Sequence, residues 1–320
     1  MTLSDTLYEV FEETRRRAPH IDARGLSRLL DVSEGELQAA RLGRGVDTLS
    51  MTACDLVMLL PKLGPVEMTS HAPHAALASR LDVCRVSTDT QQAGVGDGHA
   101  LAMKLLLPCW YWVALSCEES PDDAGALPCV QIFDRFGRRL HRLRLLAPSR
   151  SRRTLLNLYR SNHPPGFSRC IETVSEPGVS APPDLLKRWR TMRCEADHEA
   201  LLRRYRLSRL GACQALSGHF SQRLEKERFL MALARRCRAQ RQSAASLIHS
   251  AGAHHHRAAF EYFHQTREGI VRLESESLTL SLESAALDQV WQVTRPGSPG
   301  LATRLEAFDH HGRLMASLGA

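Results

Sequence analysis

Phe133-Asp134-Arg135-Phe136-Gly137 and, near the end of the chain, Phe308-Asp309-His310-His311-Gly312 spell the same F-D-x-x-G pattern. The two copies stand 175 residues apart, and a second pair of segments keeps that spacing. Leu30-Asp31-Val32-Ser33 and Arg206-Leu207-Ser208 each step through short apolar residues into a serine that opens a helical run, and Ser33 and Ser208 are again 175 apart. Self-similarity at a fixed offset marks an internal repeat. The chain is therefore expected to be a tandem duplication. Two similar halves further predict a pseudo-twofold protein with a ligand site in a cleft between them.

Length agrees with this reading, since 320 residues are enough for two domains that each bury a core. With 43% hydrophobic and 24% charged residues, the composition is that of a soluble globular protein. No apolar run reaches the length of a membrane span, and the longest, Leu105 to Leu115, is cut by Pro108. The first residues have neither a basic segment nor an apolar one, so a cytoplasmic protein without a signal peptide is expected. The nine cysteines are scattered, with no C-x-x-C pair, which fits reduced thiols better than a disulfide framework or a zinc site. A net charge of +7 and a pI near 9.1 favour an anionic partner.

Each half reads as helices followed by strands, an α+β order. In the first, Leu7, Val10, Phe11 and Thr14 recur at helical spacing, Ser33-Glu34-Gly35-Glu36 is a capping-box start, and Asp55 to Leu63 is a short helix. Strands are expected over 81–87, 100–107, 110–116, 130–133 and 139–146, with Gly94 to Gly98 as a turn. Residues 174–183, rich in Pro, Gly and Ser, are the expected linker. This divides the chain into a first repeat over 1–173 and a second over 184–320. The second is expected to open with one long basic helical tract from Leu185 to about Arg206, then helices near 209–220 and 222–239. Its strands are expected at 258–264, 269–273, 278–283, 286–294, 302–308 and 313–318, while 150–173 and 240–257 carry no clear pattern.

With these residues in view, the chain resembles the HemS/ChuS-type haemin-degrading and haem-carrier proteins, tandem duplications of an α+β half. The matching text includes Leu30-Asp31-Val32-Ser33-Glu34-Gly35-Glu36-Leu37 with Ala40-Arg41, Trp189-Arg190-x-Met192 and Leu207-Ser208-Arg209. It continues through Gly269-Ile270-Val271, Trp291 and Leu305-Glu306-Ala307-Phe308-Asp309-x-x-Gly312, so that it covers about residue 20 to 320.

The resemblance implies one haem held between the halves. An axial histidine would lie on the first long helix of the second half, a basic residue of the first-half sheet would face the other side of the haem, and further cations would meet the propionates. The family's axial position maps to Ala196, and His198 stands two residues on, a rotation of roughly 200° around a helix. His198 is the candidate haem-iron ligand, since neutral imidazole is a common one; its competing reading is a solvated helix residue. The basic residue maps to Lys104, the candidate catalytic group, where the family has Arg. Lys keeps the charge without the planar fork. Arg209 and Arg295 fall at the propionate-binding positions. The family's polar and basic extension past the last strand has no counterpart here, as the chain ends at Ser317-Leu318-Gly319-Ala320.

Outside the resemblance, His254-His255-His256 with His264 is the densest histidine group and an alternative metal site, against a reading as a polar loop. Trp110-Tyr111-Trp112 reads as a strand with both Trp on one face, in the core or stacked on a ligand. Basic stretches such as Ser149 to Arg153 lack an aromatic platform or nucleic-acid motif, so no nucleic-acid partner is expected. The function implied is cytoplasmic haem handling in bacterial haem uptake and iron acquisition. One version degrades haem oxidatively with an external electron donor; another carries or buffers it, with a membrane haem importer or a downstream acceptor as partner. A degenerate member that keeps the fold without haem chemistry is the third.

Overall fold

The computed structural model describes residues 3–18, 21, 23–97, 101–118, 127–146, 158–169, 181–240, 242–297 and 300–319. In the first half the helices are α1 (Leu3–Arg17), α2 (Ala23–Leu30), α3 (Glu34–Ala39) and α4 (Ala53–Leu59). Its strands are β1 (Val46–Leu49), β2 (Pro65–Ala72), β3 (Ala75–Asp82), β4 (Arg85–Thr88), β5 (Gln92–Gly96), β6 (Leu101–Leu106), β7 (Trp112–Glu118), β8 (Leu127–Phe133), β9 (Arg139–Leu145) and β10 (Arg160–Ser161). The second half adds α5 (Leu185–Thr191), α6 (Glu195–Tyr205), α7 (Arg209–Ala215) and α8 (Lys226–Arg238). Its strands are β11 (Ser221–Leu224), β12 (Gln242–His249), β13 (Gly252–Ala259), β14 (Tyr262–Gln265), β15 (Ile270–Glu274), β16 (Leu278–Glu283), β17 (Leu287–Gly297), β18 (Gly300–Asp309) and β19 (Leu314–Gly319). The pairings are antiparallel, so the fold is α+β, and one order of elements occurs twice.

The F-D-x-x-G segments show why the repeat is visible in the text. Each closes a tight turn between two antiparallel strands, β8 to β9 and β18 to β19. Asp134 Oδ1 accepts from the Phe136 and Arg138 amides, both at 2.9 Å, and Oδ2 from Arg138 Nε at 2.8 Å. Asp309 repeats the cage on His311, Arg313 and Arg313 Nε at 2.9, 2.9 and 2.8 Å. Gly137 and Gly312 take positive φ, 74° and 76°, where a Cβ is disfavoured. A Cβ on Gly137 would also come within 2.7 Å of Ser33 Cβ, because this turn packs on the start of α3. Phe133 and Phe308 are buried beside Trp112 and Trp291 respectively. The left-handed residues Asp31 and Arg206 (φ 53° and 52°) stand 175 apart as well.

The described residues form two compact units, and these interleave along the chain. One comprises residues 1–71, 80–172 and 250–252; the other comprises 72–79, 173–249 and 253–320. In the first unit the strands run β10-β1-β7-β8-β9-β2, with β4-β5-β6 as a second antiparallel set. Its core gathers Leu56, Val57 and Leu63 with Met68, Met103, Val130, Ile132 and Leu145. In the second unit β11-β17-β18-β19-β12 form one set, and β16 pairs both β15 and the Ala75–Ser79 stretch of β3. Its core joins Leu77 to Phe229, Leu233, Leu273, Leu280 and Met315.

Several expectations are corrected. The Leu185–Arg206 tract is two helices broken at Met192 to Cys194, and residues 221–224 are a strand between shorter helices. Gln92–Gly96 is a strand rather than a turn. β2–β3 and β12–β13 were not anticipated in either half. Trp110 and Trp112 pack in different apolar clusters, with Tyr111 exposed between them, so they do not share a face. Residues 174–180 of the expected linker lie outside the described residues.

Candidate functional site in the second unit

Helix α6 begins where Asp197 turns back on its own first turn, its carboxylate accepting from the Arg193 and Cys194 amides at 2.7 and 3.3 Å. That start sets the phase of the helix. Ala196 is exposed and presents a bare methyl, whereas His198 turns inward and is only 2% exposed. Its ring stands edge-on to Trp189 at 5.2 Å, and Trp189 donates to the Thr294 carbonyl at 3.0 Å. His198 Nδ1 lies 3.4 Å from Glu195 Oε1 but makes no hydrogen bond. The reading of His198 as a solvated helix residue is thereby overturned. Burial, with Arg295 and Arg209 nearby, draws its pKa down to about 4 against the pull of Glu195.

Glu195 is the hub of a charge cluster. Arg295 Nη1, from β17, donates to both Glu195 oxygens at 2.9 and 3.0 Å, while Arg295 Nη2 donates to Glu306 Oε1 on β18. Arg209, the first residue of α7, places Nη2 at 3.3 Å from Glu195 and Nη1 at 3.6 Å from Glu306. Arg304 completes the group, 3.9 Å from Glu195 Oε2. Burial opposes ionisation of Glu195, yet His198, Arg295 and Arg209 beside it hold its pKa far below the usual carboxylate range. Cys213 donates to Glu306 at 3.6 Å, and its thiol pKa is pushed up by burial and by that carboxylate. Three guanidiniums against two carboxylates leave one positive charge in excess, on side chains as little exposed as Arg295 (4%) and Glu306 (1%).

Strand register extends this cluster into a row. Directly paired residues of antiparallel strands share a face. Trp291 pairs Glu306, Glu306 pairs Ser317, and Ser317 pairs Ser246. Ser246 Oγ in turn meets His255 Nδ1 at 2.8 Å, so His255 of β13 ends the row. Burial lowers the pKa of His255, and Glu195, Arg304, Arg209 and Glu199 are near enough for their charges to act on it. Arg295 Nε and Ser317 Oγ are buried here without a hydrogen-bond partner, as is His198 Nδ1. Unsatisfied buried polar atoms are uncommon in folded proteins.

The structure thus gathers His198, Arg209 and Arg295. Lys104 belongs to the first unit, as an exposed residue of β6 paired with Gly94 of β5. The consecutive histidines form part of a strand, not a loop, and they diverge. His254 is fully buried, with Nε2 2.7 Å from Ser79 Oγ, and its pKa is drawn down to about 3 by burial. His255 points at Ser246, and exposed His264 stacks on Tyr262 and lies 3.9 Å from Glu274. Among the described residues no group of three or more His, Cys, Asp or Glu side chains is disposed to hold a metal ion. Sequence reasoning missed Glu195, Arg304 and Glu306, which lie within two residues of positions it did single out or within quoted motifs.

Comparison with known proteins places these residues in a context. Residues 206–318 match the family model described as the haemin-degrading HemS.ChuX domain, a stretch that contains Arg209, His255, Arg295 and Glu306. The chain is 22% identical to the hemin transport protein HmuS of Yersinia pestis, over 99% of this chain and 92% of that one. Its fold is that of holo-PhuS, a heme-binding protein from Pseudomonas aeruginosa, with TM-score 0.85 and 22% identity over 100% of this chain and 94% of that one. The heme-degrading enzyme ChuS of Escherichia coli O157:H7 is similar too, with TM-score 0.84 and 18% identity over 99% and 93%. No helix among the described residues is long and apolar enough to cross a membrane. The chain is therefore a tandem α+β protein with the fold of PhuS and ChuS, and residues 206–318 of its second half match the HemS.ChuX domain model.

Proposed function

We propose that this chain binds haem through its second unit and acts in bacterial haem utilisation as a carrier that takes up haem and passes it on. The observation that carries the reading is the convergence of Arg209 and Arg295, the two positions implied to meet propionates, on the single carboxylate of Glu195. A site that binds one carboxylate through two guanidiniums has the chemistry to bind another. The donor set fits the group: there is a net positive charge, a buried and unbonded Arg295 Nε, and imidazoles beside the cluster. Haem, when bound, supplies an iron centre open to ligation and oxygen chemistry. The chain supplies cations for the carboxylates and an imidazole for the metal.

Carrying is favoured over ring opening because the position implied to hold the axial histidine is a methyl, Ala196. Oxidative degradation is the second reading, and it is favoured by the exposed Lys104 at the position implied to oppose the iron. It needs an external electron donor and a partner able to accept the released iron. The same reading implies partners in a membrane haem transport system, a cytoplasmic location, and repeats over 1–173 and 184–320. Titration with haemin tests the central claim: a saturable Soret shift at micromolar haemin is expected, and its absence sinks both haem readings. Ascorbate under oxygen then separates them, since a carrier keeps its Soret band and an enzyme loses it as iron is released.

A further inference from the structure

We infer that His255, on β13, is the imidazole this chain presents to the haem iron. This rests on the haem-binding reading above and deepens it by assigning the ligand. Three observations support it. First, His255 ends the row Trp291, Glu306, Ser317, Ser246 on one face of the second unit's sheet, the face on which Arg209, Arg295 and Arg304 gather round Glu195 and Glu306. Haem carries its metal and its carboxylates on one rigid disc, so its ligand must border the cations that hold the carboxylates.

Second, the Ser246 hydroxyl engages His255 Nδ1 at 2.8 Å. A hydrogen bond on one ring nitrogen fixes the orientation and leaves the other nitrogen to coordinate, as is usual for metal-bound histidine. Third, two of the other candidate histidines, His254 and His198, are engaged elsewhere. His254 Nε2 is bonded to Ser79 Oγ in the core, and the His198 ring is packed edge-on against Trp189 at 2% exposure. A porphyrin cannot reach the His198 ring without unpacking α6. His255 is only half-buried. In the same row, Ser317 Oγ is buried without a partner between Ser246 and Glu306.

The test uses the full chain loaded with one equivalent of haemin, read by Soret position and by electron paramagnetic resonance of the ferric state. His255→Ala is expected to lose the imidazole-ligated signature, to bind haemin roughly tenfold or more weakly, and to regain the signature when free imidazole is added. Ser246→Ala should weaken binding by a smaller factor while keeping the ligated spectrum. His198→Ala should also keep that spectrum. If His255→Ala does not fold, as judged by near-ultraviolet circular dichroism, His255→Asn, whose amide stands where Nδ1 stood, preserves the contact with Ser246 and carries the same prediction. An unchanged spectrum in the His255 variant, or loss of the signature in His198→Ala instead, overturns the assignment and leaves haem binding intact. Absence of haemin binding by the wild-type chain overturns the functional reading itself.

Discussion

Helices α3 and α7 open alike and then diverge. Ser33 caps the first by accepting from the Glu36 amide at 3.1 Å, and Glu36 returns the bond to the Ser33 amide at 2.8 Å. Ser208 caps the second by accepting from the Gly211 amide at 2.9 Å, but glycine cannot return a bond. Glu34 follows the first cap and Arg209 the second. A carboxylate at a helix N-terminus is favoured by the helix dipole and a guanidinium there is disfavoured. The first repeat therefore follows the local rules and the second gives up both favourable terms. Strand β18 departs in the same sense. Gln131 faces Ala114 on β7 as Glu306 faces Trp291 on β17, and both are 1% exposed, yet only the second is a carboxylate. Gln131 is answered by Ser116 and Glu306 by Arg295. These departures from local preference fall in the repeat that carries the charge cluster of Arg295, Glu195 and Glu306.

The largest test of this contrast is Arg295→Ala. It leaves Glu306 buried beside a more distant Arg209 and is expected to cost roughly 3 kcal/mol in urea unfolding. Gln131→Ala in the first repeat should cost about 1–2 kcal/mol; equal losses would mean that the second cluster is no more than ordinary packing. Asp309→Ala and Asp134→Ala each remove three hydrogen bonds from equivalent turns, and each should cost about 2 kcal/mol. A clear inequality would show that the two turns are alike in geometry but not in energy.

A third contrast concerns pH. Leu77 and His254 are both the third residue of their strands, β3 and β13, and both are fully buried. Since the folded pKa of His254 lies near 3, the unfolded chain binds a proton below about pH 6.5 that the folded chain refuses. Stability must then fall on acidification from about pH 6.5 toward 3, at roughly 1.4 kcal/mol per pH unit per such histidine. His198 and His249, each near 4, act in the same direction over a narrower window. His254→Gln, which keeps a partner for Ser79, should flatten the profile of melting temperature against pH; an unaltered slope would remove His254 from the account. The smallest effect is Gly211→Glu, which restores the capping box of α3 to α7 and should stabilise by about 0.5–1 kcal/mol in thermal unfolding.

Much of the repeat was legible because its anchors obey local rules. Asp134 and Asp309 bond amides two and four residues on, Ser33 and Ser208 bond amides three residues on, and the glycines supply a conformation other residues avoid. The same holds for strands whose two faces differ. The β2–β3 and β12–β13 hairpins stayed hidden in both halves for a common reason. They are built of Ala, Ser and His with few β-branched residues, and β2 and β12 are buried on both faces over much of their length. Neither periodicity nor propensity marks such strands. They also include the segments that join the opposite unit, residues 72–79 and 250–252, whose partners lie far away in the chain.

At the site, motif position pointed to Arg209, Arg295 and His198, and they do converge, but nothing in spacing announced Glu195 as their common partner. The helix start at Glu195 depends on Asp197 folding back, and that half-turn decides that His198 is buried and Ala196 exposed. Likewise, three adjacent histidines are equivalent as text. Only strand pairing sends His254 to Ser79 and His255 to Ser246. By itself the sequence determined that this protein is a duplicated α+β chain whose turns and caps recur at a fixed offset, because those features are made by residues within four positions of one another. Which charges meet, and which histidine faces them, was decided by the tertiary structure alone, because helix phase and strand register bring together residues a hundred positions apart.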